Sequence, residues 1–341
     1  MARRISDLVT VITGASSGIG RATALRAAEK KGAVVLASRQ ENSLNEVARE
    51  CERLGGCPLV VKTDVTDPEQ MENLARRAVE TYGRLDAWVN GAAVTMLGSF
   101  EEAPAEAFRK VIETNLFGYV NGARAVLPYF REQGHGILIN IASVLGKVGA
   151  PYSSAYVASK FAVTGFSESL RMELRDAPHI HVCTILPATI DTPLFQHAAN
   201  FSGRAVQAMP PVYSPEQVAD AILATILHPK REVTVGNVRR ILAMRRMAPP
   251  LSEKVIAKKV ENQHFAEKSS PASLGNLFEP MPQYNTVHGG WLELRRKGHK
   301  SAWAAGTLAM LASAGTALYL AWRRRRSPIA RVLQSLAAAA S

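Results

Sequence analysis

Cysteine is scarce in this chain. Three occur in 341 residues, Cys51, Cys57 and Cys183, irregularly spaced and with no CxxC. That excludes a disulfide framework and a thiolate zinc site, and points to a reducing compartment. The eight histidines include no HExxH and no close grouping with carboxylates, so no metal site is expected. No GK[ST] follows a glycine-rich loop, which disfavours ATP hydrolysis. Acidic residues are deficient in one part only. Residues 1–200 carry 21 basic and 21 acidic residues, whereas 201–341 carry 20 and 8, so the net charge of +12 falls wholly on the later part. A nucleic-acid-binding domain would more often carry its basic face on the folded core. Here the excess flanks an apolar segment, which points to an anionic membrane surface and not to nucleic acid.

What is present reads as globular, with 47% hydrophobic and 21% charged residues. Strand-like and helix-like segments alternate. The opening "MARRISDLVTVITG" has a short apolar run that leads directly into a glycine loop, so it reads as a first strand and not as a signal peptide. "AVVLAS", "PLVVKT", "LDAWVN", "GILINIAS", "HIHVCTIL" and "EVTVG" follow as strands, separated by helical patterns that include one long helix over 105–131. Alternating β and α elements with near-continuous apolar strands predict an α/β fold: a doubly wound parallel sheet over residues 1–236, forming a single catalytic domain. Ligands of such sheets sit beyond the carboxyl ends of the strands.

After 236 the character changes. Residues 237–300 read as a basic amphipathic extension followed by a linker rich in Pro, Ser, Gly and Asn. "WAAGTLAMLASAGTALYLAW", 303–322, holds 20 residues and no charge, with tryptophan at each end and basic residues on both flanks. Its length suits a bilayer, so 301–322 is expected to be a transmembrane helix and 323–341 a basic tail. The expected location is a single-pass membrane protein with a cytoplasmic catalytic domain. Docking of this helix to a partner subunit is the alternative.

"TGASSGIG", 13–20, lies between the first strand and its helix. Gly14 allows the sharp turn, Gly18 the close approach of a pyrophosphate, and Gly20 the packing of helix on sheet. Gly14, Ser16, Ser17, Gly18, Ile19 and Gly20 are therefore candidate contacts of a dinucleotide. At the end of the second strand stand Ser38 and Arg39, with no acid before Glu41. A hydroxyl and a guanidinium suit a ribose phosphate, so NADP(H) is expected over NAD(H).

With these motifs in this order, residues 6–236 resemble the short-chain dehydrogenase/reductase family in its classical branch, a Rossmann fold. The loop is similar to the family's TGxxxGxG. Asp64 in "KTDVTD", with Val65 beside it, stands where the family contacts adenine, and Asn90 in "VNGAA" matches the first Asn of the family's NNAG. Asn115, Ser143, Tyr156 and Lys160 match the catalytic residues, and Thr192 the carboxamide-contacting Thr. Gly91, Ala93 and Ala188 depart from the family pattern beside the cofactor. The resemblance implies an oxidoreductase that interconverts a ketone or aldehyde with an alcohol. Tyr156 would be the proton carrier, Lys160 its tuner and holder of the nicotinamide ribose, Ser143 the polariser of the carbonyl, and Asn115 the anchor of a relay water.

Taken singly, each residue has an ordinary structural use: Ser143 as a turn residue, Asn115 as a hydrogen-bonder inside a helix, Tyr156 as a packing residue. Their joint spacing behind a cofactor loop favours catalysis. The segment 194–212 reads as an apolar lid, with Arg204 its one candidate clamp for an anion, and Tyr152 as a pocket wall. A lipophilic alcohol or ketone at a membrane is the expected substrate, and pairing through the long helices gives a possible homodimer or homotetramer. The rival readings are a non-catalytic, membrane-tethered NADPH-binding scaffold and a sugar-nucleotide epimerase. The latter is disfavoured because no substrate domain of adequate size follows.

Overall fold

The computed structural model describes residues 3–293, and the chain through Trp291 forms one compact unit. Seven strands make a parallel sheet: β1 (Val9–Thr13), β2 (Ala33–Ser38), β3 (Cys57–Lys62), β4 (Ala87–Asn90), β5 (Gly136–Ile141), β6 (Ile180–Pro187) and β7 (Glu232–Val235). Their spatial order is β3-β2-β1-β4-β5-β6-β7. The order reverses between β1 and β4, which opens the crevice where doubly wound sheets take ligands.

The strands are apolar on both faces because helices cover both. Leu8 and Ile12, Val34 and Leu36 pack with α1 (Gly18–Glu29), α2 (Glu41–Arg53) and α7 (Pro215–Leu227). The alternate residues Val9, Val11, Val35 and Ala37 pack with α3 (Pro68–Tyr82), α5 (Gly118–Gln133) and α6 (Ser154–Glu173). This period of two is the pleat expressed in side chains. Local chemistry sets the ends: Asp67 caps α3 by accepting from the N–H groups of Glu69 and Gln70, and Gly83 stops it with φ +72°.

The expected long helix over 105–131 is three pieces. α4 (Ala105–Ile112) passes through a π turn, Glu113–Phe117, into α5. A turn of that kind widens the coil without breaking the helical pattern in sequence, and such turns gather at functional sites. Asn115 lies inside it.

Beyond β7, α8 (Arg239–Met247) and α9 (Pro249–Gln263) form a hairpin, and the strand Phe265–Ser269 pairs antiparallel with Arg204–Val206 of the lid. The expected membrane helix, 301–322, and the tail 323–341 lie outside the described residues. The expectation of a single-pass membrane location is corrected: among the described residues no helix is long and apolar enough to cross a membrane. The longest of them, α6, carries Lys160, Glu168, Arg171 and Glu173 and is committed to the cleft.

Candidate active site

A cavity of about 590 Å³ runs along the carboxyl ends of the strands. Gly14, Ser16, Ser17, Gly18, Ile19 and Gly20 line one end, together with Ser38, Arg39, Asp64 and Val65; Ser143, Tyr156, Lys160 and Thr192 line it further along. The loop after β1 turns at Gly14, where φ is +73°. A Cβ on Gly20 would lie 2.2 Å from the Gly14 carbonyl oxygen, so helix and turn meet only without side chains. The start of α1 thereby borders the cavity; its Gly18 N–H is taken by the Thr286 carbonyl at 2.9 Å, and the other N–H groups of its first turn are of the kind that an anionic pyrophosphate needs. The residues present fit a dinucleotide.

Strand β5 ends just before Ser143, which caps the short turn that follows; its Oγ accepts from the Leu145 N–H at 3.1 Å. The Ser143 side chain also hydrogen-bonds Tyr156. Tyr156 and Lys160 are four apart on α6 and therefore share a face. The Lys160 Nζ donates to the Ile141 carbonyl at 2.8 Å and to the Tyr119 hydroxyl at 3.4 Å. It lies 5.5 Å from the centre of the Tyr156 ring and 5.0 Å from that of Tyr119.

Removal from water governs both titrations. It lowers Lys160 to about 7 and raises Tyr156 to about 12, against the opposing effect of the Ser143 bond. At Tyr156 burial outweighs the Ser143 bond, so the phenol keeps its proton. A phenol in this state is a proton donor at neutral pH.

Asn115 is fully buried, and its side chain is occupied. Its Oδ1 accepts from the Val94 N–H at 2.8 Å, and its Nδ2 donates to the Val94 carbonyl at 2.9 Å and the Ser159 Oγ at 3.1 Å. It ties the π turn to α6 and to the wall beside the cavity. Asn90 does not line the cavity. It is buried in the sheet, accepting from the Trp88 indole at 2.8 Å and donating to Asn140 Oδ1 at 2.9 Å. Asn140 in turn donates to Ser167 of α6 at 2.9 Å. The departure at Gly91 has a steric reason: a Cβ there would lie 2.8 Å from the Thr13 carbonyl oxygen.

Other expectations land elsewhere. Tyr152 packs edge-on against Phe265 and donates to Glu261 Oε2 at 2.9 Å, which pins α9. Arg204 pairs with Glu261 at 3.3 Å and covers the Phe265 ring. Arg39 lines the cavity, but its terminal nitrogens are held by backbone carbonyls of 276–278. Sequence reasoning missed Tyr119, His197, Arg240, Lys259, Met281 and Asn285, all of which line the cavity. Tyr119 alone carried a signal, standing four residues after Asn115. His197 is 7% exposed, and burial pushes its ring down to about 4.

The family described as short chain dehydrogenase matches residues 8–202. An uncharacterised oxidoreductase of Bacillus subtilis, YxnA, is 37% identical over 282 residues, covering 81% of this chain and 79% of that protein. A Burkholderia phymatum short chain dehydrogenase/reductase solved in complex with NAD superposes with a TM-score of 0.66 at 26% identity, over 72% of this chain and 95% of that one. An alcohol dehydrogenase from Thermococcus sibiricus, complexed with 5-hydroxy-NADP, gives 0.59 at 26% identity, over 67% and 95%.

Proposed function

Because the chain belongs to the short chain dehydrogenase family and is an oxidoreductase of that type, we propose that it interconverts a lipophilic ketone or aldehyde with its alcohol, using NADP(H) in preference to NAD(H). The observation that carries this reading is the convergence of Ser143, Tyr156 and Lys160 on the cavity that the glycine loop opens. The loop residues would hold the pyrophosphate, and Lys160 and Thr192 the nicotinamide end. Bound there, the nicotinamide supplies or takes the hydride.

The chain's own residues handle the oxygen. Ser143 donates to the substrate carbonyl and polarises it, as an oxyanion donor does. Tyr156, protonated in the cleft, gives its proton to that oxygen as alkoxide charge develops, and takes it back in oxidation. Lys160 near 7 can replace the proton at neutral pH. Asn115 acts by position, holding Val94 and α6 in place.

The preference for NADP(H) is supported by the absence of a carboxylate side chain before Glu41 at the end of β2 and by the positive charge of Arg39 there, whose terminal nitrogens also serve the carbonyls of 276–278. A lipophilic substrate is supported by the apolar wall of the same cavity, with Leu97, Val148, Phe195, Met209, Ile241 and Ile256. The test is NADPH and NADH oxidation across a panel of lipophilic and polar carbonyls. Turnover of small polar sugars alone would refute the substrate class, and tenfold tighter NADH binding would refute the cofactor preference. No turnover with any carbonyl alongside tight NADPH binding would favour the scaffold reading.

A further inference from the structure

Residues 276–291 cross the mouth of the cleft, fastened at three places. At the end of β2, the Arg39 guanidinium donates to the carbonyls of Asn276, Leu277 and Phe278 at 2.7, 3.3 and 2.9 Å. At the glycine loop, the Gly18 N–H donates to the Thr286 carbonyl at 2.9 Å, and Arg21 donates to the Asn285 carbonyl. There too the Asn285 amide donates to Gln40 Oε1 and Ser43 Oγ. Beyond β6, the Trp291 N–H donates to the Asp191 carboxylate at 2.7 Å and its indole to the Thr192 carbonyl at 3.0 Å, while Gln196 donates to the Gly289 carbonyl at 2.7 Å.

Between these fastenings the segment roofs the cavity without filling it, and Asn276, Met281 and Asn285 are part of the lining. Two buried polar atoms of the lining residues, His197 Nε2 and Asn276 Oδ1, have no hydrogen-bond partner among the described residues. Buried polar atoms are rarely left so unless a ligand or water meets them. The roof and the site beneath it share their anchors: Gly18 and Arg39 belong to both.

We propose that residues 276–291 are a clasp that closes over the bound dinucleotide, with Asn285 and Gly289 as positioning residues and Arg39 as its tether at the ribose end. This rests on the dinucleotide reading above. The cofactor leaves only when the clasp lifts. Because every fastening is made by backbone or by side chains outside the acid/base set, the clasp governs how long the cofactor stays and not the chemical step.

Two variants test it in the full chain. Gly289→Val adds a side chain where a Cβ would already lie 2.4 Å from the Thr192 carbonyl oxygen, so it lifts the third fastening. Asn285→Ala removes two part-buried hydrogen bonds, to Gln40 and Ser43, and circular dichroism checks that the variant folds. Stopped-flow displacement of bound NADPH and of bound NADH gives the dissociation rates, and single-turnover mixing of the preloaded enzyme with a carbonyl substrate gives the chemical rate. The expected result is a dissociation rate at least tenfold faster in Gly289→Val and severalfold faster in Asn285→Ala, for both dinucleotides alike, with the single-turnover rate unchanged.

Unchanged dissociation rates in both folded variants would overturn the clasp. So would tighter binding, which would make the segment a competitor of the cofactor. A wild-type protein that binds neither dinucleotide would instead sink the cofactor reading and the clasp together. Arg39→Ala separates its duties: as a phosphate contact it affects NADPH alone, whereas as tether it speeds the loss of NADH as well. Loss of NADPH affinity alone, with NADH release unchanged, would overturn the tether.

Discussion

Lysine 160 is 1% exposed, and its ammonium is lowered to about 7 where an unfolded chain leaves it near its ordinary value of 10.5. Between those values the unfolded chain binds a proton that the folded chain does not, so this group makes stability rise with pH. At about 1.4 kcal/mol per pKa unit, integration from pH 7 to pH 9 gives a gain of about 2 kcal/mol. Lys160→Met removes the titration and keeps the volume. It also removes one of the two donors to the Ile141 carbonyl, leaving only the Tyr119 hydroxyl, a cost that does not vary with pH. The diagnostic quantity is therefore the change in the difference between the two proteins, not either stability alone. The buried thiols Cys51 and Cys183, raised by burial to about 12 and about 11, begin to act in the opposite sense near pH 9. They do so equally in both proteins and cancel. Urea unfolding at pH 7 and pH 9, without dinucleotide, measures the four stabilities. The wild type should gain about 2 kcal/mol on the variant between the two pH values. Parallel pH dependences would show that Lys160 is not desolvated as described, and a relative loss would reverse the sign of the argument.

Replacing Tyr156 with Phe removes the proton donor and should lower turnover by about a hundred- to ten-thousand-fold while NADPH affinity changes little; full activity in a steady-state assay would refute the assignment. Gly20→Val should abolish dinucleotide binding, because even a Cβ meets the Gly14 carbonyl oxygen at 2.2 Å; titration by protein fluorescence measures it, and retained affinity would contradict the loop geometry. Cys57 is exposed whereas Cys51 and Cys183 are buried, so a maleimide should label one thiol in the native protein and three in denaturant, counted by mass.

The fold was legible because its two periods are simple. Strands covered on both faces read as unbroken apolar runs, and Asp67 with Pro68 marks a helix start by chemistry that acts locally. Ser143, Tyr156 and Lys160 were legible because their spacing on one strand end and one helix fixes their common direction. The π turn was not, since one widened coil leaves the amphipathic pattern of 105–133 intact. The segment 276–291 was not either. Its composition reads as a linker, and most of its fastenings use backbone carbonyls and N–H groups, which every residue type offers and no pattern marks. Arg39 shows the same limit: its place at the end of β2 was evident, its three carbonyl partners some 240 positions onward were not. Asn90 was found by its motif, yet its contacts are with Trp88, Tyr119 and Asn140 inside the sheet and not with the cavity.

That interior chain of amides has a consequence for how the sheet assembles. Asn90 pairs in register with Asn140 at the centre of the sheet, and both are fully buried. Slipping β4 against β5 by one residue would strand two amides among aliphatic side chains, at about 1–3 kcal/mol for each unsatisfied group. The apolar strand residues around them, by contrast, would tolerate many alignments. The pair therefore acts as a proofreading mark: it penalises misaligned strands and favours the one alignment in which Ser143, leaving the next turn of chain, arrives opposite Tyr156.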